Sequence, residues 1–575
     1  MRHFSSLLLA LFICVSANAQ ITESAVDAVR NMGVGWNLGN TLDANKTGGK
    51  DFTQDSYWGG QGLESENFWG QPTTTSSLIS MMKNAGFGAI RVPATWFNHM
   101  DPSGKVNAEW MARVHQVVDY VIGNGLYCIL NVHHDTGADN DSHTSWIKAD
   151  EDNYNANKDR YEYLWKQIAE EFKDYDNHLV FEGYNEMLDI KSSWCFASFN
   201  ASGQYDAAIA TSAYNGINGY AQSFVTSVRN TGGNNASRNL IINTYAAANG
   251  YGTWNSHLKD VFNKMIIPDD TAEGHLIVEV HDYPPIVKTV NSKTVDRPFS
   301  EIKGQVDGTI KILKDYLISK GIPVIIGEWG TNNVDAGAGK TDYDVRRDLM
   351  LQFVDYYVRS CKENDIATFY WMGLTDGSYR SIPAFSQPDL AETIVKAYHG
   401  SDFHGEFPGI EESNSFVAFE GEKVLNWGDG ISIPATAFKI AGSSAQLILT
   451  YKQSGTADDI QFFYGDWGSK PSFKVDGRSY TGDFIPHSHY GTSTGTEHTT
   501  AFTFDNATYD ILSQKGLIVH GYHITLYKAE LADVTGIADV VAPEYESPVY
   551  NLAGQRVSNP SRGIYVKNGK AFFQR

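Results

Sequence analysis

Eight times between residue 30 and about residue 400, a short apolar run rich in β-branched and aromatic residues precedes a longer stretch with helical spacing. The runs are Gly33–Trp36, Ala89–Pro93, Leu126–His133, Leu179–Asn185, Leu240–Thr244, Leu276–His281, Pro323–Glu328 and Ala367–Trp371. Amphipathic stretches lie between them, including Thr75–Ala85, Glu109–Asn124, Tyr161–Tyr175, Tyr214–Thr231 and Val345–Asn364. In the first of these, Leu78, Met81, Met82 and Ala85 fall on one helical face. Strands that alternate with helices pair in parallel, because the helix supplies the crossover. Eight such units within this length predict an α/β fold, a (β/α)8 TIM barrel. An open doubly wound sheet is the alternative, but no Gly-rich nucleotide turn follows the first run.

The pattern changes after residue 400. Gly405, Pro408, Gly409, Glu411 and Glu412 crowd Gly400–Asn414, which reads as a linker. From Phe416 to Ala529 helical periodicity gives way to short alternating runs: Gln446–Tyr451, Asp459–Tyr464, Ala501–Phe504 and Tyr522–Tyr527. Turn-rich clusters separate them, the signature of an all-β sandwich. After Pro543–Pro548 a small β segment closes the chain. The expected organisation is therefore a signal peptide at 1–19, a barrel at 20–400, a sandwich at 415–530 and a C-terminal segment at 545–575.

The N-terminus reads as an export signal. Arg2 and His3 precede the apolar run Leu7–Val15, and Ala17-Asn18-Ala19 offers a small-x-small cleavage site. The run is too short to span a bilayer, and no later segment reads as a membrane span. The expected location is outside the cell, secreted or at its surface. Removing the signal takes Cys14 with it. Cys128, Cys195 and Cys361 remain, with neither metal-ligand spacing nor an even-numbered disulfide framework, and Cys128 reads as a buried thiol.

A net charge of −22 argues against nucleic acid, which needs a basic footprint, and against polyanionic sugars. A neutral polymer meets no such penalty. Aromatic residues make up 13% of the chain, which suits sugar binding and a β-rich core equally.

Barrel active sites lie at the C-terminal ends of the strands. The residues there are Arg91 after the second run, His133 and His134 after the third, and Asn185 and Glu186 after the fourth. His281 and Tyr283 follow the sixth, Glu328 the seventh and Trp371 the eighth. Two carboxylates on opposed strands suit glycosidic cleavage: one protonates the leaving oxygen, and the other attacks the anomeric carbon or activates water. Each has a blander explanation. A lone Glu at a strand end is commonly solvated or ion-paired, Arg91 can pair with a structural carboxylate, and Trp371 can be core. The His133–His134 pair is more often structural than a metal site when further ligands are missing.

Six stretches make the pattern specific. They are Gly35-Trp36-Asn37-Leu38-Gly39-Asn40-Thr41-Leu42-Asp43, Ile90-Arg91-Val92-Pro93, Asn131-Val132-His133-His134-Asp135, Phe181-Glu182-Gly183-Tyr184-Asn185-Glu186, Val280-His281-Asp282-Tyr283 and Gly327-Glu328-Trp329-Gly330. In this order they resemble glycoside hydrolase family 5, the cellulases of clan A, and within it the endoglucanase and xyloglucanase branch. The family usually has Pro after its acid/base Glu, where this chain has Met187.

The resemblance implies a retaining endo-β-1,4-glucanase acting on a neutral β-glucan such as cellulose, mixed-linkage glucan or xyloglucan. Endo-β-mannanase, xylanase and a non-catalytic glycan-binding protein are the alternatives. It implies Glu186 as acid/base and Glu328 as nucleophile. Asn185 would hold the sugar 2-hydroxyl, and Arg91 and Tyr283 would hold Glu328 ionised with a lowered pKa. His133 and His281 would orient sugar and acid/base, with His134 beside them. Trp371 would form the sugar platform, and Trp36 and Asn40 complete the substrate-binding candidates. No metal or cofactor is called for, and a monomer is expected. The sandwich resembles carbohydrate-binding modules, with Trp427, Tyr464, Trp467 and Tyr490 as candidate sugar platforms. The stretches Val549–Val557 and Gly563–Gly569 resemble type IX secretion sorting tails, which implies contact with that export machinery.

Overall fold

The computed structural model describes residues 21–46, 58–140, 143–199, 204–331, 345–409, 415–427, 430–441, 445–454, 459–486 and 495–533. It also describes the backbone of four short strands between 549 and 574. The expected signal peptide lies outside the described residues, as does Tyr490.

The eight apolar runs form the closed parallel barrel predicted for them. Its strands are β1 (Val34–Asn37), β2 (Ala89–Val92), β3 (Tyr127–Asn131), β4 (Leu179–Glu182), β5 (Leu240–Ala248) and β6 (Leu276–Asp282). A surface hairpin of β7 (Val287–Val290) and β8 (Lys293–Asp296) intervenes before β9 (Val324–Trp329) and β10 (Ala367–Tyr370), which pairs back onto β1. The amphipathic stretches form helices outside the barrel, among them Ser76–Ala85, Ala108–Gly123, Glu151–Glu171, Ala207–Arg229 and Arg347–Lys362. Several start on the side-chain caps their sequences offer: Thr75, Asn107, Asp150 and Asp206 each accept a first-turn N–H.

The barrel interior is layered by the two-residue period of a strand. Its lower layer is apolar: Ile129, Val180, Ile241, Ile277 and Ile325 pack with Ala89 and Phe369. The helix Ala25–Met32 closes that end with Ala25, Ala28, Val29 and Met32. Two residues further along the strands stand Asn37, Arg91, Asn131, Glu182, Asn243 and Glu279, all buried. The apolar floor thus carries a polar layer, and the mouth lies beyond it.

After the barrel, β11 (Ser415–Leu425) opens a second region. A six-stranded sheet of β11, β20 (Ile524–Asp533), β13 (Ala445–Gln453), β18 (Glu497–Thr503), β15 (Ser472–Val475) and β16 (Arg478–Thr481) packs face to face with a four-stranded sheet around Phe416, Leu447, Leu449, Phe462, Phe502 and Leu531. The four-stranded sheet runs β12 (Ile431–Ile433), β19 (Leu517–Tyr522), β14 (Asp459–Tyr464) and β17 (Asp483–Phe484). Burial alternates strictly along β14, as the sequence pattern predicts.

Three expectations need correction. The expected linker is packed as far as it is described: Phe403 and Phe407 lie against the barrel core, and the Phe385 N–H donates to the Pro408 carbonyl at 2.8 Å. The sandwich region contains two helices, Ala435–Ala441 and Asn506–Lys515. The second begins on the Asp505 cap and ends at Gly516, with φ +77°, signals that a search for alternation passes over. The run Tyr522–Tyr527 is broken at His523, whose φ of +53° ends β19 and starts a new strand at Ile524.

Cys128, Cys195 and Cys361 are free thiols, with Cys128 and Cys361 buried. No helix among the described residues is long and apolar enough to cross a membrane.

Candidate active site

Arg91 organises the mouth from below. It is wholly buried on β2, and a buried guanidinium needs every donor answered. Its Nε and Nη2 donate to the two oxygens of Glu182 at 2.7 and 2.8 Å, a bidentate pair. Nη1 donates to Glu328 at 2.9 Å and to Asn37 at 3.0 Å, and Nη2 also reaches Asn185 at 2.8 Å. One cation thus fixes residues from β1, β4 and β9.

Glu328 faces the mouth because β9 is irregular. Ile325 and Gly327 point inward, so simple alternation would turn Glu328 outward. The register between β6 and β9 shifts at this point, pairing Val280 with Ile326 but His281 with Glu328. Gly327 is the extra residue. A Cβ there would overlap the Glu279 carboxyl, so only glycine leaves room for that side chain beneath Glu328.

Glu328 Oε2 accepts from the Tyr283 hydroxyl at 2.8 Å, and Oε1 accepts from Arg91. Glu186 lies across the mouth in the loop after β4, its side chain 24% exposed. A carboxyl oxygen of each and one nitrogen of His281 all lie within 4.8 Å of one another. His281 donates from Nδ1 to Glu186 at 2.8 Å and from Nε2 to Glu279 at 3.2 Å.

Burial pulls the His281 pKa down, but Glu328, Glu186 and Glu279 more than reverse this and push it up to about 10. His281 is therefore a cation at neutral pH. Glu279 moves up to about 7, through burial and the charge of Glu182. Glu182 is also buried, but Arg91 outweighs the desolvation and its pKa falls. The expected lowered pKa of Glu328 is not found. Burial, aided by Glu186, outweighs His281, Arg91 and Tyr283, and the shift is upward.

His133 is buried on the same side, 3.9 Å from Glu328, and its ring stacks on Trp371 at 5.9 Å and 7°. Burial pushes its pKa well down, so it stays neutral. The tautomer follows from its neighbours. The Ala94 N–H fixes the Asn131 oxygen, so the Asn131 amide donates to His133 Nδ1 at 3.0 Å. The ring proton then sits on Nε2. Asp43, His133 and His134 have ligand-like spacing, but His133 Nε2 has no lone pair for a metal. Asp43 Oδ2 is buried without a hydrogen-bond partner, 3.5 Å from His134 Nε2. His134 in turn meets the exposed Trp69 edge-on at 5.1 Å. Trp371 lies partly open beside Gly39, where a Cβ would come within 2.7 Å of its ring.

The structure thus gathers Glu186, Glu328, Arg91, His133, His134, Asn185, His281, Tyr283 and Trp371 at one mouth. Asn40, half-buried past β1, takes a φ of +61°, which Asn tolerates. Trp36 is corrected. It has no exposed surface, its N–H donates to the Met372 carbonyl, and Arg380 covers its ring at 5.0 Å. It supports the mouth from within and meets no substrate. The polar layer of Asn37, Glu182, Asn243 and Glu279 was not among the candidate site residues. Its signal was a polar residue within, or just past, an apolar strand run.

The family model described as cellulase (glycosyl hydrolase family 5) matches residues 47–376. Endoglucanase B of Neocallimastix patriciarum is 34% identical over 400 residues, 69% of this chain and 74% of that protein. A solved GH5-4 broad specificity endoglucanase from an uncultured bacterium is 59% identical, with a TM-score of 0.61 over 66% of this chain and 98% of that one. A glycoside hydrolase family 5 enzyme of Prevotella bryantii B14, solved as a mutant with a xyloglucan tetradecasaccharide, is 41% identical, with a TM-score of 0.56 over 66% of this chain and all of that one. With the barrel, its ordered mouth and the family match over residues 47–376, the chain belongs to the cellulase family, glycosyl hydrolase family 5.

Proposed function

We propose that this glycoside hydrolase is a secreted, retaining endo-β-1,4-glucanase. Glu328 is its nucleophile and Glu186 its acid/base. The observation that carries this is the approach of the two carboxyl groups, which have oxygens within 4.8 Å of each other. Retaining enzymes hold the pair about 5–5.5 Å apart, and inverting ones leave room for a water at about 6.5–9.5 Å.

In the first step a Glu328 oxygen bonds to the anomeric carbon as the bond from that carbon to the glycosidic oxygen breaks, and Glu186 gives its proton to that oxygen, which leaves as the hydroxyl of the released chain. In the second, Glu186 takes a proton from water, which displaces Glu328 and restores both groups. Arg91 and Tyr283 each hold one oxygen of Glu328, which limits its rotation and aims the attack. The imidazolium of His281 orients Glu186 and stabilises its carboxylate once the proton has left. Asn185, oriented by Arg91, faces the sugar 2-hydroxyl, and Trp371 with His133 forms the platform under the ring.

Neutral β-glucans are the substrate class, with cellulose, mixed-linkage glucan and xyloglucan as members. The acidic chain and the names of its relatives support this. The sandwich is read as a glycan-binding accessory, Met1–Ala19 as an export signal, and the final strands as a sorting segment. Reducing-end release on carboxymethyl-cellulose, barley β-glucan, xyloglucan and glucomannan, with Glu328→Gln alongside, tests the proposal. Turnover on the glucans should fall by a factor on the order of 10⁴ in the variant. Absence of turnover in the parent, or its survival in the variant, contradicts it.

A further inference from the structure

We infer that the outer face of the four-stranded sheet β12-β19-β14-β17 is a binding site for a neutral β-glucan chain, built on Trp427 and Trp467. The inference rests on the sandwich being a glycan-binding accessory, and it assigns the place and the residues.

The inner face of this sheet is core: Ile460, Phe462 and Tyr464 on β14, Leu517 and Val519 on β19. Tyr464, a sugar-platform candidate by sequence, therefore points inward. Alternation sends Asp459, Gln461 and Phe463 outward, with Ile518, His520 and Tyr522 from β19. The register sets Gln461 beside His520 and Asp459 beside Tyr522. Two tryptophans close over this surface from loops. Trp467, from the turn after β14, lies 5.2 Å from Phe463 and 5.7 Å from His520. Trp427, just past β11, lies 5.6 Å from His520 and stacks on Tyr522 at 5.2 Å and 20°. The rings follow one another by contact, Phe463, Trp467, His520, Trp427 and Tyr522, with the buried His520 between the two exposed indoles.

Three features make this a site and not a stray apolar patch. Both indoles remain more than half exposed, 51% for Trp427 and 53% for Trp467, although each is held against the sheet. Both also sit at positive φ, +43° and +59°, a region that bulky side chains avoid. Two strained, exposed tryptophans on one face match the pattern in which strain is retained for ligand contact. The row is also fringed by hydrogen-bonding groups. Gln461 donates to Asp459 at 3.0 Å, and Lys470 pairs with Asp483 at 2.7 Å while lying 5.0 Å over Phe463.

A pyranose presents that same mixture, an apolar C–H face ringed by hydroxyls. Ile518, the aliphatic residue beside Phe463 in the register, is buried, and the exposed aliphatic Ile485 lies past the end of β17, so the open apolar surface over β14 and β19 is aromatic. An aliphatic partner surface fits it less well. The charge of −22 disfavours an anionic glycan.

The test uses the full chain with its mouth blocked covalently at Glu328 by a 2-deoxy-2-fluoro-cellobioside. Retention on barley β-glucan is read by affinity electrophoresis. Trp427→Ala with Trp467→Ala should weaken retention about tenfold or more. Trp467→Tyr, which keeps a ring, should recover part of it. Without the block, the double variant should hydrolyse soluble cello-oligosaccharides as the parent does and lose activity on insoluble cellulose. Retention by the blocked parent that is indifferent to the double substitution overturns this site but leaves the sandwich a glycan binder elsewhere. No retention by the blocked parent overturns that broader reading as well. A double variant whose unfolding temperature falls is replaced by Trp467→Tyr with Trp427→Phe, for which a several-fold loss is expected and parental retention contradicts.

Discussion

The barrel mouth and the outer face of the sandwich use opposite physics. At the mouth, charge is buried: Arg91, Glu182 and Glu279 have no exposed surface, and Glu328 has almost none. Taking such groups from water is costly, and only a closed set of partners makes it tolerable. On the outer face of the sandwich, aromatic rings stand exposed and the ion pairs lie at the solvent edge. The tryptophans are sorted by place and not by count: Trp36, Trp96, Trp110, Trp165 and Trp329 are wholly buried in the barrel, whereas Trp69, Trp194 and Trp254 at its surface and Trp427 and Trp467 on the sandwich stand open. A tryptophan count therefore says nothing about sugar contact until the fold has sorted core from surface. The mouth is built to hold a few atoms still for chemistry, and the face to meet a long chain.

The sharpest way to break this contrast is to remove the central cation. Arg91→Met leaves Glu182 and Glu328 buried without their partner and should destabilise the chain by about 3–5 kcal/mol. Thermal or urea unfolding measures it. A variant as stable as the parent would show that the buried charges are not held through Arg91.

Gly327→Ala acts on the bulge. The added methyl collides with the Glu279 carboxyl, and a cost of about 2–3 kcal/mol is expected, with lower kcat as Glu328 is displaced. Unchanged kcat would mean that the bulge does not aim Glu328.

The smallest effect concerns pH. Glu279 titrates near 7 in the fold and near its model-peptide value when unfolded. Between those values the folded state binds more protons, so its contribution to stability falls as pH rises through the window. Glu279→Gln removes that loss. Its stability relative to the parent should rise by about 1–2 kcal/mol between about pH 5 and 6.5, read from unfolding at several pH values. A constant difference across the window would show that Glu279 does not carry this proton.

Much of this was legible in the sequence. Eight runs gave eight barrel strands because period-two and period-3.6 patterns leave distinct marks. The mouth residues were legible because strand ends converge in a barrel. What escaped needed three dimensions. Ordinary alternation does not reveal the bulge that turns Glu328 inward. Glu182 and Glu279 looked like interruptions in apolar runs until Arg91 stood between them. The helix Asn506–Lys515 was hidden by its short length among strands. Trp36 looked like a sugar contact because its motif lies at the mouth, yet its side chain turns into the packed wall. Phe463, His520 and Tyr522 became a surface only once β14 and β19 were paired.

Double displacement by Glu328 and Glu186 fixes the configuration of the first product. Proton NMR during hydrolysis of a cello-oligosaccharide distinguishes the anomers before they equilibrate. Double displacement gives the β-anomer first, and the α-anomer grows in later by mutarotation. An α-anomer formed first would mean single displacement by water and would contradict the assignment of Glu328 as nucleophile.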